Sequence, residues 1–227
     1  MVNNNEIKKD NYLDALKALE YILKQWGEYS HHWLKVIQRD IQIWETQHHS
    51  EQHLGHYGGM GSFNDLGGGP YFNNIKSIAY RLATDPDDLE PVEKSLGTLG
   101  LQLDGWNCSK CGYDEVYESK IKQYINHHFV RTEVLEAFKK GSLLELAKKR
   151  HEYDFSDLNE KYKEVANKAE KSGISVVKQH EWSEICPKCG EKGIQIRHWV
   201  LNKSGDEFIP YNLDGSALPD DIKSAFK

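Results

Sequence analysis

The sequence has little of several features that mark particular classes of protein. Among its 227 residues there are four cysteines and two methionines. Its apolar runs fall short of the roughly 18–20 residues that a membrane-spanning helix needs, and residues 1–12 lack the apolar stretch of a signal peptide. We therefore expect a globular, cytoplasmic protein without a membrane partner.

Positive charge is scarce where nucleic acid would need it. The formal net charge is −6, and residues 84–118 carry nine acidic side chains but two lysines. Because such a segment repels a phosphate backbone, the charge pattern disfavours nucleic acid as a partner. The short basic cluster Lys148–Arg150 keeps that partner open as an alternative, although a solvated helix face explains the cluster more simply.

Signatures of common catalytic machinery are missing too. The sequence contains no P-loop lysine motif and no dinucleotide-type glycine spacing between a strand and a helix. Glu51 follows His49 by two residues, one position too late for the base of a His-Glu-x-x-His zinc motif. With no recognisable Ser-His-Asp or Cys-His arrangement either, the sequence leans away from an enzyme.

The cysteines form two pairs with the same spacing. Both Cys108–Gly112 and Cys186–Gly190 read Cys-x-x-Cys-Gly. A tight turn of this kind points two thiolates at one ion, and the glycine accommodates the positive φ that the turn needs. Paired spacing in a cytoplasmic chain favours a metal over disulfides. We predict one metal site with four ligands: Cys108, Cys111, Cys186 and Cys189.

The stretches Trp106–Tyr113 and Ile185–Gly190 resemble the two halves of a zinc ribbon, and they are also similar to the iron-binding knuckles of rubredoxin. Zn²⁺ is therefore the predicted cofactor, and iron is the alternative. Since four thiolates leave no open coordination position, the ion is expected to be structural. Here 74 residues separate the pairs, far more than in those families, which disfavours electron transfer and predicts a ribbon with a helical insertion.

Strand patterns surround the second knuckle. Residues 194–201 are rich in β-branched and aromatic types, and a polar turn at 202–205 separates them from 207–211. These features predict a hairpin, while residues 174–182 predict a third strand. Pro210 indicates an edge strand because proline cannot donate to the hydrogen-bond ladder.

Helical patterns occur in two places, the region between the two knuckles and the N-terminal part of the chain. Large side chains recur at spacings of three and four from Tyr117 to Phe138, and Gly141–Ser142 predicts a stop followed by a new helix cap. Residues 143–171 have the balanced charge of a solvated helical arm, interrupted near 154–156. Three more helices are predicted in the N-terminal part, on the stripes Tyr12–Trp26, Trp33–Trp44 and 71–83, with Ser30 capping the second of them.

The sequence therefore predicts an α+β fold. A helical domain with a glycine-rich loop occupies residues 1–100. A small antiparallel zinc-ribbon sheet follows in residues 101–227, with knuckles at 106–113 and 185–190 and a long helical insertion at 114–173.

A stretch rich in histidine and glycine, residues 48–69, joins the second and third helices. His49, His53 and His56 share one face of a helix by spacing, so a metal triad is conceivable. Imidazoles near a helix end also interact with its last carbonyls, which is the simpler explanation. Ser62 and Asp65 have the spacing of a short capping box. We interpret the stretch as a helix end and a tight connector.

The segment Gly58–Leu66 reads Gly-Gly-Met-Gly-Ser-Phe-Asn-Asp-Leu after a helical hairpin. It resembles the Gly-Gly-Met-Gly-Ser-x-Asn-Asp-Leu signature of a family of small bacterial domains of unknown function, and the resemblance spans residues 10–83. It implies no activity, but it implies that the loop is held in a set shape for folding or for a ligand. The candidate ligand-binding residues are His53, His56, Gly58, Gly59, Gly61, Ser62, Asn64 and Asp65.

Three functions from different classes fit these features. The first is a non-catalytic binding or adaptor protein that recognises another protein, of the kind found in bacterial or phage conflict systems as immunity or anti-defence proteins. The second is a metal-dependent hydrolase or small-ligand-binding protein that uses residues 48–66, in particular His49, His53, His56 and Asp65. It predicts a second metal bound by those histidines, or a pocket at the glycine-rich loop. The third is a nucleic-acid-binding zinc ribbon. The sequence leaves open whether copies of the chain associate.

Overall fold

The computed structural model describes residues 10–96, 100–150, 156–179 and 183–211. These ranges contain the α-helices α1 (Asn11–Gln25), α2 (His31–Gln47), α3 (Glu51–Leu54), α4 (Pro70–Thr84), α5 (Glu90–Leu96), α6 (Glu118–Lys140), α7 (Leu143–Arg150) and α8 (Ser156–Lys171). The strands are β1 (Gln102–Cys108), β2 (Asp114–Tyr117), β3 (Ile174–Val177), β4 (Ile194–Leu201) and β5 (Phe208–Tyr211). Many helices with one mixed sheet make an α+β fold, which confirms the predicted fold class.

The chain forms two compact units. Of the described residues, the first contains 10–96 and 130–150, and the second contains 100–129, 156–179 and 183–211. Residues 130–150 lie within the segment predicted as an insertion, and they pack in the first unit. No helix in the described ranges is long and apolar enough to cross a membrane.

The core of the first unit forms around α1, as its stripe predicts. Leu16, Leu19 and Leu23 are completely buried there, and α2 and α4 pack against them. Ser30 lies at the predicted junction, but its hydroxyl donates to the carbonyl of Leu23 at 2.5 Å instead of capping α2. The Ser30 side chain, which was predicted to cap the start of α2, thus satisfies a backbone carbonyl at the end of α1.

The start of α7 is also capped from a distant part of the chain. The carboxylate of Asp14, on α1, accepts hydrogen bonds from the amides of Leu143 at 2.6 Å and Leu144 at 3.1 Å. Sequence spacing assigned this cap to Ser142, whose hydroxyl donates to the carbonyl of Ala137. The Asp14 carboxylate therefore ties α7 to α1 in the first unit.

The second unit is built on a five-stranded sheet with the order β3-β2-β1-β4-β5. The predicted hairpin is present as β4 and β5, and β5 lies at the edge, where Pro210 was expected. The predicted third strand is present as β3, although it ends at Val177 and residues 180–182 lie outside the described ranges.

The sheet differs from the predicted antiparallel arrangement in one pair. Strands β2 and β3 run parallel, with Val116 opposite Val176. A parallel pair needs a crossover of a dozen or more residues, usually helical. The segment that contains α6, α7 and α8 supplies this crossover, so the long insertion and the parallel pair have the same origin.

Gly68 occupies a position in the first unit where a larger residue has no space. A Cβ atom there would lie 2.3 Å from Cδ1 of Phe72 and 2.6 Å from the ring of Trp26. These two rings pack with their centroids 4.6 Å apart, and Phe72 is buried. At the neighbouring Gly67, a Cβ atom would meet nothing within 4 Å. One glycine of the loop is therefore required by packing.

We expect Gly68→Ala to lower the free energy of unfolding by about 1–3 kcal/mol, because an added methyl group in a filled core forces its neighbours to move. The matched control Gly67→Ala is expected to stay within about 0.5 kcal/mol of the wild type. Urea denaturation followed by far-UV circular dichroism measures both. Equal stability of the two variants would contradict this packing role.

Candidate metal centres

Each cysteine pair lies in a turn that closes on itself in the same way. In the first turn, the Cys108 amide donates to the carbonyl five residues later and the Gly112 amide donates to the Cys108 carbonyl, both at 2.8 Å. In the second turn, the Cys186 amide and the Gly190 amide make the corresponding two hydrogen bonds, both at 2.9 Å. Gly112 and Gly190 have φ values of 71° and 75°, a region that favours glycine. The two turns therefore have the conformation that the Cys-x-x-Cys-Gly spacing predicts.

The backbone brings the two turns together. Strand β1 ends at Cys108, which lies opposite Ile194 at the start of β4. The Ser109 amide donates to the carbonyl of Gly193 at 3.0 Å, and the Ser109 hydroxyl donates to the same oxygen at 3.1 Å. Strand pairing and these two hydrogen bonds hold the turns face to face.

The four thiols lie at the spacing of a tetrahedral metal site. The sulfur atoms of Cys108 and Cys189 are 3.8 Å apart, and those of Cys111 and Cys186 are 3.7 Å apart. A tetrahedral ion with metal–sulfur bonds of about 2.3 Å places its sulfurs about 3.8 Å apart, whereas a disulfide needs about 2.05 Å. The cluster is therefore compatible with a metal and not with two disulfides.

Backbone amides of the turns and the neighbouring groups act in opposite directions on the pKa values of the thiols. Backbone amides, chiefly that of Cys111, lower the pKa of Cys108 to about 7. The amide of Glu191 acts in the same direction on Cys189, but desolvation and the neighbouring thiols raise its pKa to about 12. Four thiolates this close repel one another, so a bound cation is what lets all four ionise.

Trp106 lies beside the second turn. With Ile185, Pro187 and Ile194 it lines a shallow pocket on the sheet. Trp182, which precedes the second turn in the sequence, lies outside the described residues. Trp106 therefore contributes apolar surface next to Pro187 of the second cysteine turn.

A second cluster forms in the first unit around Asp40. His53, on α3, places its Nδ1 atom 2.8 Å from Oδ2 of Asp40, which lies on α2. His56, on the short 3₁₀ turn Gly55–Tyr57, places its Nε2 atom 3.1 Å from the same oxygen. The side chains of Asp40 and His53 are 1% and 0% exposed, whereas that of His56 is 25% exposed. Three groups that commonly bind metals thus meet at one partly accessible point.

The charges of this cluster follow from its contacts. Burial tends to raise the pKa of Asp40, but hydrogen bonds from His53 and His56 lower it below its usual value. Burial lowers the pKa of His53, although the nearby Asp40 carboxylate opposes this. The cluster therefore presents an ionised carboxylate next to an imidazole whose protonation is disfavoured.

Sequence reasoning did not identify Asp40. The feature of the sequence that could have identified it is its position: Asp40 lies one helical turn after Ile37 and next to Ile41, which are both on the buried stripe of α2. A carboxylate on such a stripe requires a partner inside the protein, but periodicity alone does not indicate that the partners are two histidines downstream.

The structure places the other predicted loop residues elsewhere. The side chain of His49 is half exposed, and its Nε2 atom lies 4.0 Å from Oε2 of Glu51. Asp65 accepts hydrogen bonds from the amides of Gly61 at 2.6 Å and Ser62 at 3.1 Å, and the predicted capping box is present. Neither His49 nor Asp65 belongs to the cluster around Asp40.

The remaining predicted residues shape the loop. Gly59 and Gly61 have φ values of 84° and 78°, which explains why glycine is needed at both positions. Gly58 has an ordinary extended conformation with open space around it. The Asn64 side chain donates to the carbonyl of Tyr57 at 2.9 Å, so it holds the loop against the preceding turn.

A buried lysine, which the sequence did not reveal, anchors the loop from α4. The Nζ atom of Lys76 donates to the carbonyls of Phe63, Asn64 and Leu66 at 3.1–3.3 Å. It also lies 5.3 Å from the ring centroid of Phe72, and burial lowers its pKa. The loop carbonyls therefore converge on a cation supplied by the protein itself.

Comparison with known protein families gives a match in the N-terminal part of the chain. A family model described as a domain of unknown function (DUF6966) matches residues 28–71. This match supports a domain of unknown function in the N-terminal part of the chain, and it includes Asp40, His53 and His56. No curated protein and no solved structure matches the chain.

We expect Lys76→Met to lower the free energy of unfolding by about 2 kcal/mol or more, because three loop carbonyls lose a charged donor that is partly desolvated. The control Lys35→Met replaces an exposed lysine of the same unit and is expected to change stability by less than about 0.5 kcal/mol. Chemical denaturation of both variants makes the comparison. A wild-type stability for Lys76→Met would show that the loop does not depend on this lysine.

Proposed function

We propose that the protein is a non-catalytic binding protein whose second unit is held together by one structural zinc ion. The observation that carries this proposal is the spacing of four thiols from two turns that lie far apart in the sequence. Four thiolates fill a tetrahedral coordination sphere and leave no position for water or substrate. We also propose a cytoplasmic location, where thiols stay reduced and available to the ion.

An exposed apolar patch next to this site supports a protein partner. Ile185 and Ile196 are 50% and 63% exposed. Ile196 lies opposite Trp106 in the sheet, so both side chains are on the same face, as is Ile194 two residues earlier. Adjacent apolar side chains on a surface often mark a protein interaction site.

The contacts of the basic cluster favour a protein partner over nucleic acid. Lys148 Nζ lies 2.7 Å from Oε1 of Glu145, and a guanidinium nitrogen of Arg150 lies 2.9 Å from Oε1 of Glu133. These cations are paired with carboxylates of the protein. They are therefore less available for phosphate contacts than the sequence alone suggests.

Metal analysis of Cys186→Ser tests the zinc proposal. The wild-type protein, purified under reducing conditions, is expected to hold one ion in the thiol site. The loss of even an outer-shell partner of a metal ligand lowers affinity about 10–100-fold, so the loss of a ligand thiolate is expected to lower it further. Elemental analysis identifies the ion, and cobalt substitution reports thiolate coordination by its charge-transfer absorption.

The matched control is Lys188→Ala, which lies between the two cysteines of the second turn and supplies no ligand. It keeps the amide that lies 3.4 Å from the sulfur of Cys186 and is expected to retain the ion. A wild-type protein that carries no ion in the thiol site after purification with zinc would contradict the proposal.

The apolar patch leads to a separate prediction. Ile196→Glu is expected to weaken binding of the partner by tenfold or more, because it places a charge in the centre of an apolar contact. Met60→Glu is the control, since Met60 is fully exposed and lies in the other unit. Affinity capture identifies proteins retained by the wild type and Met60→Glu but lost with Ile196→Glu, and calorimetry with the purified pair measures the change in affinity. Equal affinities of Ile196→Glu and the wild type would refute this surface.

A further inference from the structure

The cluster around Asp40 has a donor set that differs from that of the thiol site. Its ligand atoms come from α2, α3 and the turn Gly55–Tyr57, and all of them lie within 4.8 Å of one another. The shortest separations join Oδ2 of Asp40 to Nδ1 of His53 at 2.8 Å and to Nε2 of His56 at 3.1 Å. Three potential ligands from three elements therefore surround one small volume.

The hydrogen-bond contacts of His53 allow its Nδ1 atom to bind a cation. The Tyr57 hydroxyl lies 3.2 Å from the carbonyl of Lys76, which can only accept a hydrogen bond, and 3.0 Å from Nε2 of His53. With its hydrogen on Nδ1, the neutral ring donates to the Asp40 carboxylate at 2.8 Å. With its hydrogen on Nε2, the ring donates to the Tyr57 hydroxyl, and the Nδ1 lone pair faces the carboxylate. An ion bound to both Nδ1 and the carboxylate stabilises this second tautomer.

We propose that Asp40, His53 and His56 bind a divalent transition-metal ion of the Zn²⁺ type, at a site separate from the four cysteines. Imidazole nitrogens and a carboxylate are ligands that suit such an ion. Nδ1 of His53 and Nε2 of His56 supply the nitrogens, and Asp40 supplies the oxygen. When Nδ1 of His53 binds the ion, its Nε2–H donates to the Tyr57 hydroxyl, which in turn contacts the carbonyl of Lys76. These contacts orient the buried ligand, as outer-shell partners of metal-bound histidines do.

The surroundings leave room for a further ligand. Three protein ligands do not fill a tetrahedral sphere, and the partly exposed side chain of His56 lies on the accessible side. Tyr12 packs edge-on against His53, with the ring centroids 6.0 Å apart. Its hydroxyl is buried and has no hydrogen-bond partner among the described residues. A water or small polar ligand on the ion is the kind of group that such a hydroxyl binds.

The test counts metal ions in the full chain. Wild-type protein is stripped with a chelator, reloaded with Zn²⁺ and passed through a desalting column, and its zinc content is measured. We expect two ions per chain, one in each site. His56→Ala is expected to hold one ion, while the control His49→Ala, which alters an exposed histidine of the same stretch, is expected to hold two.

Cobalt spectra assign each ion to its site. Thiolate charge-transfer absorption is expected to be the same in His56→Ala and the wild type, while the weaker visible bands of a nitrogen and oxygen site are expected to be lost. In Cys186→Ser the opposite change is expected. Absence of the thiolate absorption from the cobalt-loaded wild type would count against the structural zinc site, whereas absence of the nitrogen and oxygen bands from the wild type would count against the present proposal.

Asp40→Asn provides a second variant that keeps the size of the side chain while removing its charge. It is expected to lower the affinity for the second ion by more than about 100-fold, which exceeds the effect of removing an outer-shell partner. Its far-UV circular dichroism spectrum is expected to match that of the wild type. A single ion in the wild type at saturating zinc, with the same number in His56→Ala and Asp40→Asn, would overturn the proposal. The cluster would then be a network of hydrogen bonds around a shared proton.

Discussion

The meeting of the two cysteine turns is the constraint on which the second unit depends. Cys111 and Cys186 are separated by 74 residues in the sequence, yet their sulfur atoms lie 3.7 Å apart. Bringing such distant segments together costs chain entropy, and the cost grows slowly with the length of the loop. The pairing of β1 with β4 and the Ser109–Gly193 hydrogen bonds place the turns together. The thiols then meet at a separation that a metal ion stabilises, so strand pairing and metal binding favour the same arrangement.

The first unit satisfies its polar groups in another way. Its core is helical, and its glycine-rich loop lies over buried side chains that carry charge. Lys76 supplies a cation to three carbonyls of the loop, and Asp40 supplies an anion to two histidines. Because an uncompensated buried charge is costly, each of these residues fixes the positions of its partners. The loop is therefore shaped by polar contacts as well as by its glycines.

The elements with strong local patterns could be predicted from the sequence. The apolar stripe of α1, the β4–β5 hairpin and the cysteine spacing each express a short-range rule, and the structure contains all three. Strand β1 was not predicted because Asp104, Gly105 and Asn107 are types that strands disfavour, and it forms because neighbours pair along both of its edges. Ser30 and Asp14 show the same limit, since a helix cap can come from any part of the chain that packing brings close. Asp40 could not be joined to His53 and His56 without knowing how α2 packs.

The two candidate metal sites differ in a way that bears on function. Four thiolates from two rigid turns form a closed and mostly negative set, which suits an ion that stays in place. Two imidazoles and one carboxylate form a set with fewer ligands, in which one histidine is partly exposed. An ion held by three protein ligands keeps a position for exchange, which is the property shared by catalytic and ligand-binding metal sites. The proposed thiol site would therefore stabilise the second unit, whereas the proposed site at Asp40 would have a coordination position for a small ligand. The match to the domain of unknown function includes Asp40, His53 and His56 but none of the four cysteines, so the cluster around Asp40, and not the thiol site, lies in the part of the chain that is similar to that domain.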